Sequence, residues 1–221
     1  MQDARDLRSY GRRRGRARSR RQQALWSQVL PRFVLAPEEM SSQAATDVWL
    51  EIGFGGGEHL LWQASHHPAV RLIGCEPFED GVVKVLDAID TQNLSNIRLW
   101  TDDARPLLRA LPKACLARVF ILFPDPWPKA RHQKRRLVSA QTIDELVRVM
   151  RPGAELRIAT DIASYATAIL QAVLGHPSFD WVCESPSDWR LRTQDWPGTR
   201  YEAKALAAGR RCYYFRFRRC G

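Results

Sequence analysis

The densest concentration of reactive residue types in this 221-residue chain is the run Phe123-Pro124-Asp125-Pro126-Trp127-Pro128-Lys129-Ala130-Arg131-His132-Gln133-Lys134-Arg135-Arg136. Three prolines in five residues, each with φ locked, stiffen the segment and fix the direction of Asp125 and Trp127. Five basic residues and His132 follow, so a rigid carboxylate stands beside an edge suited to phosphate. Such a carboxylate can accept hydrogen bonds or offset a positive charge that develops during a reaction. A proline-stiffened loop entering a solvated helix would account for the prolines but not for the aspartate followed by a cationic run.

A second group of chemical signals lies upstream, in Glu51-Ile52-Gly53-Phe54-Gly55-Gly56-Gly57-Glu58. Glycines here permit a sharp turn and close approach of backbone to a ligand above the helix that follows. The dinucleotide fingerprint would require glycine at position 58, where this chain has Glu58. Carboxylates at 51 and 58 would repel a pyrophosphate and suit a ligand with cationic groups, such as the sulfonium and ammonium of S-adenosylmethionine. Glu76, 25 residues after Glu51, falls where α/β nucleotide folds place an acid that accepts hydrogen bonds from ribose hydroxyls. Asp102 and Asp103 come after the next apolar run, where a carboxylate can meet an adenine amino edge or cap the next helix.

These residues need elements to hold them, and hydrophobic periodicity supplies the outline. Short aliphatic runs at 48–52, 70–75, 97–100, 118–123 and 155–159 read as strands. Helical patterns lie near 58–66, 79–90, 104–111, 137–150 and 162–174. That alternation predicts βαβ units and a mostly parallel sheet covered on both faces. Ligands then bind at the carboxyl ends of the strands, where the acids and the glycine loop fall. Toward the C-terminus, 179–183 and 211–218 read as strands joined by a polar Trp/Pro-rich loop from Glu184 to Gly198, with no obvious helix between them and an antiparallel closing pair expected. Before the first strand, Leu25, Trp26, Val29 and Leu30 recur at helical spacing within 22–33, so a short helix, stopped by Pro31, docks a basic arm onto the body. The expected organisation is an arm with its docking helix over 1–33 and one domain over 34–221.

Net charge is +10, and residues 1–21 alone hold nine arginines against Asp3 and Asp6, leaving +3 for the rest. An arginine block this dense buries too little apolar surface to fold alone but neutralises phosphates well. The five cysteines show no metal-ligand or disulfide spacing, His59, His66, His67 and His176 lack mutual spacing for ligation, and no metal is expected. No apolar run approaches membrane-spanning length and the start lacks a secretory apolar core, so a cytoplasmic protein without a membrane partner is expected. Trp100, Trp181, Tyr213 and Phe215 fall on strand-like runs and are assigned to packing, whereas Trp189 and Trp196, in a polar loop, are candidates for stacking on bases.

Taken together, EIGFGGGE at 51–58, FPDPWPKARHQKRR at 123–136, ATD at 159–161 and TRYE at 199–202 resemble the bacterial tRNA (guanine-N7)-methyltransferase family over nearly the whole chain. The resemblance implies a Rossmann-like α/β fold of the class I methyltransferases, seven-stranded and mostly parallel, with helices on both faces and an antiparallel last strand. It implies S-adenosyl-L-methionine as cofactor, lined by Glu51, Glu76, Asp103 and Asp125, with Gly53 and Gly55 in the glycine turn. It implies tRNA as partner, methylated on a variable-loop guanine and contacted by Lys129, Asp161, Thr199, Arg200, Tyr201 and Glu202, with Asp125 as catalytic residue. No obligatory protein partner is implied, and a monomer or homodimer fits equally.

Guanine N7 has an in-plane lone pair and no proton, so such an enzyme needs alignment and electrostatics rather than a general base. Two other readings stay open on sequence. The FPDPW segment partly resembles the loop with which exocyclic-amine methyltransferases hold an amino group, and the arginine arm alone fits a non-catalytic RNA-binding protein.

Overall fold

The computed structural model describes residues 13–15, 17–40 and 46–221, apart from the side chain of Glu39. Seven strands form one sheet in the order β3-β2-β1-β4-β5-β7-β6. They are β1 (Val48–Ile52), β2 (Arg71–Cys75), β3 (Ile97–Trp100), β4 (Leu116–Leu122), β5 (Met150–Thr160), β6 (Phe179–Trp181) and β7 (Tyr213–Arg219). The five strands from β3 to β5 pair in parallel, and β7 pairs antiparallel with both β5 and β6. The expected seven-stranded, mostly parallel sheet with an antiparallel last strand is therefore present. β1 and β3 occupy the residues that periodicity marks, whereas β5 begins five residues earlier than expected, through Pro152 and Gly153, where the pairing with β4 shifts register.

Helices α2 (Glu58–His66), α3 (Glu79–Gln92), α4 (Ala104–Ala110), α5 (Ala140–Val149) and α6 (Ala163–Leu174) cross between the strands. Two apolar clusters result, one on each sheet face. Leu50, Val119, Ile121, Leu156, Ile158 and Phe217 join α4, α5 and α6 on one side. Trp49, Phe120, Leu122, Ala159 and Tyr214 join α2 and α3 on the other. Alternation along each strand is the cause, since successive side chains point to opposite faces.

Ahead of β1, α1 (Arg20–Ala24) runs on as a π turn over Leu25–Val29 and a 3₁₀ turn over Leu30–Arg32. Leu25, Leu30 and Phe33 are buried against the body, but Pro31 does not stop the helix as expected: it sits at the start of the closing 3₁₀ turn, where its missing N–H costs least. Two expectations for the C-terminal third need correction. Helices α7 (Ser187–Arg190) and α8 (Arg200–Ala207) stand between β6 and β7, where no helix was expected. α8 is only eight residues long and rests on a capping box, in which Thr199 and Glu202 each hydrogen-bond the other's backbone N–H. Trp196 is not a stacking surface: it is 1% exposed, packed edge-on against Tyr214 at 5.6 Å. Its indole is large enough to close the core over a polar loop that hydropathy alone leaves outside. Trp189 instead stacks on Tyr213 at 6.1 Å and is partly buried.

Candidate active site

At the carboxyl ends of β1, β2 and β4 a cleft of about 320 Å³ opens, within the range of small-ligand sites. Its lining includes Gly53, Gly55, Glu76, Asp103, Asp125 and Tyr201, six of the residues singled out from sequence. Gly53, Gly55 and Gly57 have φ of 78°, 56° and 84°, the left-handed region that glycine enters without strain. The loop also lies hard against α3: a Cβ on Gly81 would fall 2.2 Å from the Gly55 carbonyl oxygen.

Glu76 braces that loop. One carboxylate oxygen accepts from the Gly55 N–H at 2.8 Å and the other from the Phe78 N–H at 2.9 Å. Burial pushes its carboxyl above the ordinary value, the two backbone N–H groups oppose this, and the charges of Asp125 and Glu51 add to the rise. Of the two parts considered for Asp103, the structure shows the helix cap. Asp103 lines the cleft and also caps α4, accepting from Arg105 N–H at 2.9 Å while Oδ2 pairs with the Arg105 guanidinium at 2.9 Å.

Asp125 is exposed on the rim of the cleft, in a strained loop held by a backbone hydrogen bond and one buried arginine. Phe123 and Trp127, both bulky, have φ of 51° and 40°. Backbone in that region costs on the order of 1–3 kcal/mol per residue and persists only where surroundings enforce it. The surroundings are legible: Phe123 N–H donates to the Ala159 carbonyl at 2.8 Å, and Arg136 Nε donates to the Pro126 carbonyl at 2.9 Å. Arg136 is buried over the Tyr165 ring, so the last member of the basic run is a strut and not a phosphate contact. Lys129, Arg131 and Lys134 remain exposed beside it.

The other sequence candidates fall outside the cleft lining. Glu51 is buried on β1 and its Oε2 lies 2.7 Å from His59 Nδ1. His59 Nε2 is in turn 3.1 Å from Gln63 Nε2, which donates to the Asp195 carbonyl at 3.0 Å. That geometry places the His59 proton on Nδ1 and leaves Nε2 as acceptor. Thr199 and Glu202 are buried, and Glu202 accepts from Tyr214 O–H at 2.6 Å, Arg192 Nε at 3.0 Å and its capping partner Thr199 N–H at 3.4 Å. Asp161 pairs with Arg210 at 2.6 Å, and Arg200 with Glu58 at 3.6 Å. Cys75, Arg105 and Trp127 line the cleft without having been assigned a site role from sequence, and Arg135 joins them from the basic run. For Arg105 the spacing two residues after Asp103 was a usable signal; for Cys75, a thiol ending an apolar strand offered none.

A family model described as a putative methyltransferase matches residues 45–215. The tRNA (guanine-N(7)-)-methyltransferase of Rhodospirillum rubrum is 47% identical, covering 97% of this chain and 88% of that protein. The protein of the same name from Hyphomonas neptunium is 47% identical, covering 90% and 94%. Among solved structures, an rRNA methylase from Streptococcus thermophilus superimposes with a TM-score of 0.54 at 13% identity, covering 85% of this chain and 99% of that one. The 16S rRNA methyltransferase KamB superimposes with a TM-score of 0.57 at 13% identity, covering 84% and 91%. At that identity the likeness concerns the fold, which is that of the class I methyltransferases.

Proposed function

Because this chain belongs to the tRNA (guanine-N(7)-)-methyltransferase family, we propose that it methylates N7 of a variable-loop guanine in tRNA, with S-adenosyl-L-methionine as donor and Asp125 as the catalytic residue. The observation that carries this reading is the single cleft that gathers the glycine turn, Glu76, Asp103 and Asp125 at the carboxyl ends of the strands.

The residues present fit the cofactor. The cleft has the volume for it, the glycine turn puts no side chain of its own into it at Gly53 or Gly55, and three carboxylates line it together with two arginines, Arg105, in contact with Asp103, and Arg135. Glu76 keeps lone pairs free for ribose hydroxyls after its two backbone bonds, and Asp103, in the same lining, would meet the base. When bound, S-adenosylmethionine supplies an electrophilic methyl group on a positively charged sulfur.

The remaining work belongs to the chain and the guanine. N7 carries no proton, so no group has to remove one. Asp125, on the stiff rim, accepts hydrogen bonds from the guanine N1–H and N2 amino groups, which orients N7 toward the cleft and offsets the positive charge that the purine acquires. Adenine lacks both donors and would leave the carboxylate unpaired, which selects guanine. Tyr201, 43% exposed over the Gly55 turn, offers a ring face beside the same rim, and Lys129 and Arg200 offer cations for the flanking phosphates.

Incubation with labelled S-adenosylmethionine and undermodified tRNA, followed by nucleoside analysis, tests the reading. Label in 7-methylguanosine is the expected result. Label in an N2-methylated guanosine would transfer the protein to the exocyclic-amine class, and no label with retained tRNA binding would leave it a binding protein.

A further inference from the structure

On the α2 side of the sheet, at the end away from the active cleft, a second cleft of about 350 Å³ is lined by Arg118, Arg151, Arg216 and Arg218 against two carboxylates, Asp47 and Glu155. Both carboxylates are already engaged. Asp47 pairs with Arg151 at 2.8 Å, and Glu155 pairs with Arg118 at 3.0 Å and with the buried Arg157 at 3.0 Å. Asp195 is taken by Arg157 at 2.7 Å, Asp188 accepts from the Glu184 and Ser185 N–H groups, each at 2.8 Å, and Asp180 stands opposite Arg218 across the β6–β7 pair without an ion pair to it. Burial works against the charge of Asp195, yet hydrogen bonds from Arg157 and Thr193 hold its carboxyl well below the usual carboxylate range.

That leaves Arg216 and Arg218 without an ion-pair partner among the described residues, and Arg216 Nε is buried with no acceptor. Both sit on β7, alternating with Phe215 and Phe217, which are buried on the opposite face. Strand geometry sets them on one side about 6.7 Å apart, a spacing comparable to that of successive phosphates along a nucleic-acid strand. Crowded arginines with surplus donors call for an anion that brings several acceptors, and the two carboxylates in the cleft lining are already paired with other arginines.

We propose that this cleft is a second RNA contact, in which Arg216 and Arg218 hold the sugar-phosphate backbone of tRNA remote from the guanine that reacts. The inference rests on tRNA being the substrate, and adds to that reading where a further part of the molecule lies. The separation suits a large ligand: Arg118 in this cleft and Leu122 in the active cleft are four residues apart on β4, about 13 Å. A tRNA spans that distance while its reacting guanine stays in the active cleft. Backbone contact of this kind positions the RNA without reading its sequence.

The test compares wild type with R216A/R218A and R216K/R218K, using an unmodified tRNA transcript. For the alanine pair, the slope of log K against log salt should become shallower by about 1.4–1.8, the release expected from two lost phosphate contacts. The single-turnover rate at saturating tRNA should match wild type, and the lysine pair should recover most of the slope. An unchanged slope in the folded alanine variant overturns the proposal, as does loss of affinity that lysine cannot restore, which would indicate packing and not charge. A changed sedimentation coefficient with an unchanged slope overturns it in favour of an interface between two copies. Absence of tRNA methylation by the wild-type protein would instead defeat the proposed function, while the binding comparison still decides this cleft.

Discussion

Asp125 was legible in the sequence because prolines announce a fixed carboxylate, and the structure adds what fixes it: strained Phe123 and Trp127 and the buried Arg136 strut. If the carboxylate acts by accepting hydrogen bonds and offsetting charge, Asp125→Asn should keep the loop shape and tRNA affinity yet lower the single-turnover rate by about 10²–10³. With no proton to remove from N7, the wild-type chemical step should also be flat between about pH 6 and 8. A rate that tracks one deprotonation there would refute the electrostatic role. Glu76 behaves differently, because its raised pKa belongs to the free protein. The protonated form favours that folded state, an effect fully present below the ordinary carboxylate value and lost as pH rises through the raised one. Ribose hydroxyls prefer the ionised form, so cofactor affinity should climb with pH through the weakly acidic range and then level off. Glu76→Gln should bind S-adenosylmethionine about 10–100-fold more weakly, the worth of a hydrogen bond to a charged group, and with a flatter pH profile. Calorimetric titration of both proteins across that range checks the point. Glu51 marks where residue-level reading ran out. Its type and position were readable, but not that His59 takes its carboxylate.

Among the elements, the glycine turn and α3 depend on each other most directly. Alanine at a helical glycine ordinarily gains up to about 1 kcal/mol of propensity. At Gly81 that gain meets a Cβ 2.2 Å from the Gly55 carbonyl, backbone that cannot rotate away. Overpacking of this kind costs roughly 1–3 kcal/mol, so Gly81→Ala should lower the melting temperature and weaken cofactor binding, because the loop that yields is the one beneath the cofactor. A variant as stable as wild type with unchanged affinity would show that the contact relaxes freely. α8 makes the opposite point. Its Thr199 and Glu202 resemble substrate contacts in the family pattern, yet here they cap the helix and bind Tyr214 and Arg192. The cap they form positions Arg200 and Tyr201 in the helix's first turn. Eight residues that are polar on average gave too short a stretch for hydropathy to detect, and the capping box was visible only as TRYE.

At the scale of the whole molecule the question is how charge is distributed for a polyanion. The described part of the arm lies on the body, with Arg13 on Asp102 at 2.9 Å, Arg14 and Arg18 on Glu79, and Arg21 on Asp87. Arg5, Arg8, Arg12 and Arg16 fall outside the described residues. Surface pairs of this type are worth about 0–1 kcal/mol, so RNA phosphates can compete for the same arginines. Deleting residues 1–21 should weaken tRNA binding and make the salt dependence shallower by about 0.7–0.9 per lost phosphate contact, read from binding at several salt concentrations. An unaltered slope would remove the arm from the RNA-binding surface. The sequence by itself determined what depends on near neighbours: the alternation that makes a mostly parallel sheet, the glycine turn after β1, acids after successive strands, a rigid Asp125 and a basic start. Tertiary structure alone decided what depends on residues far apart in the chain. Packing across the sheet buries Trp196 against Tyr214, turns Arg136 inward beneath Pro126, and hands Glu51 to His59. Pairing of β5 with β7 sets Arg216 and Arg218 alongside acids already spent on other arginines. A local pattern specifies which face a side chain takes, but not which partner the fold brings to meet it.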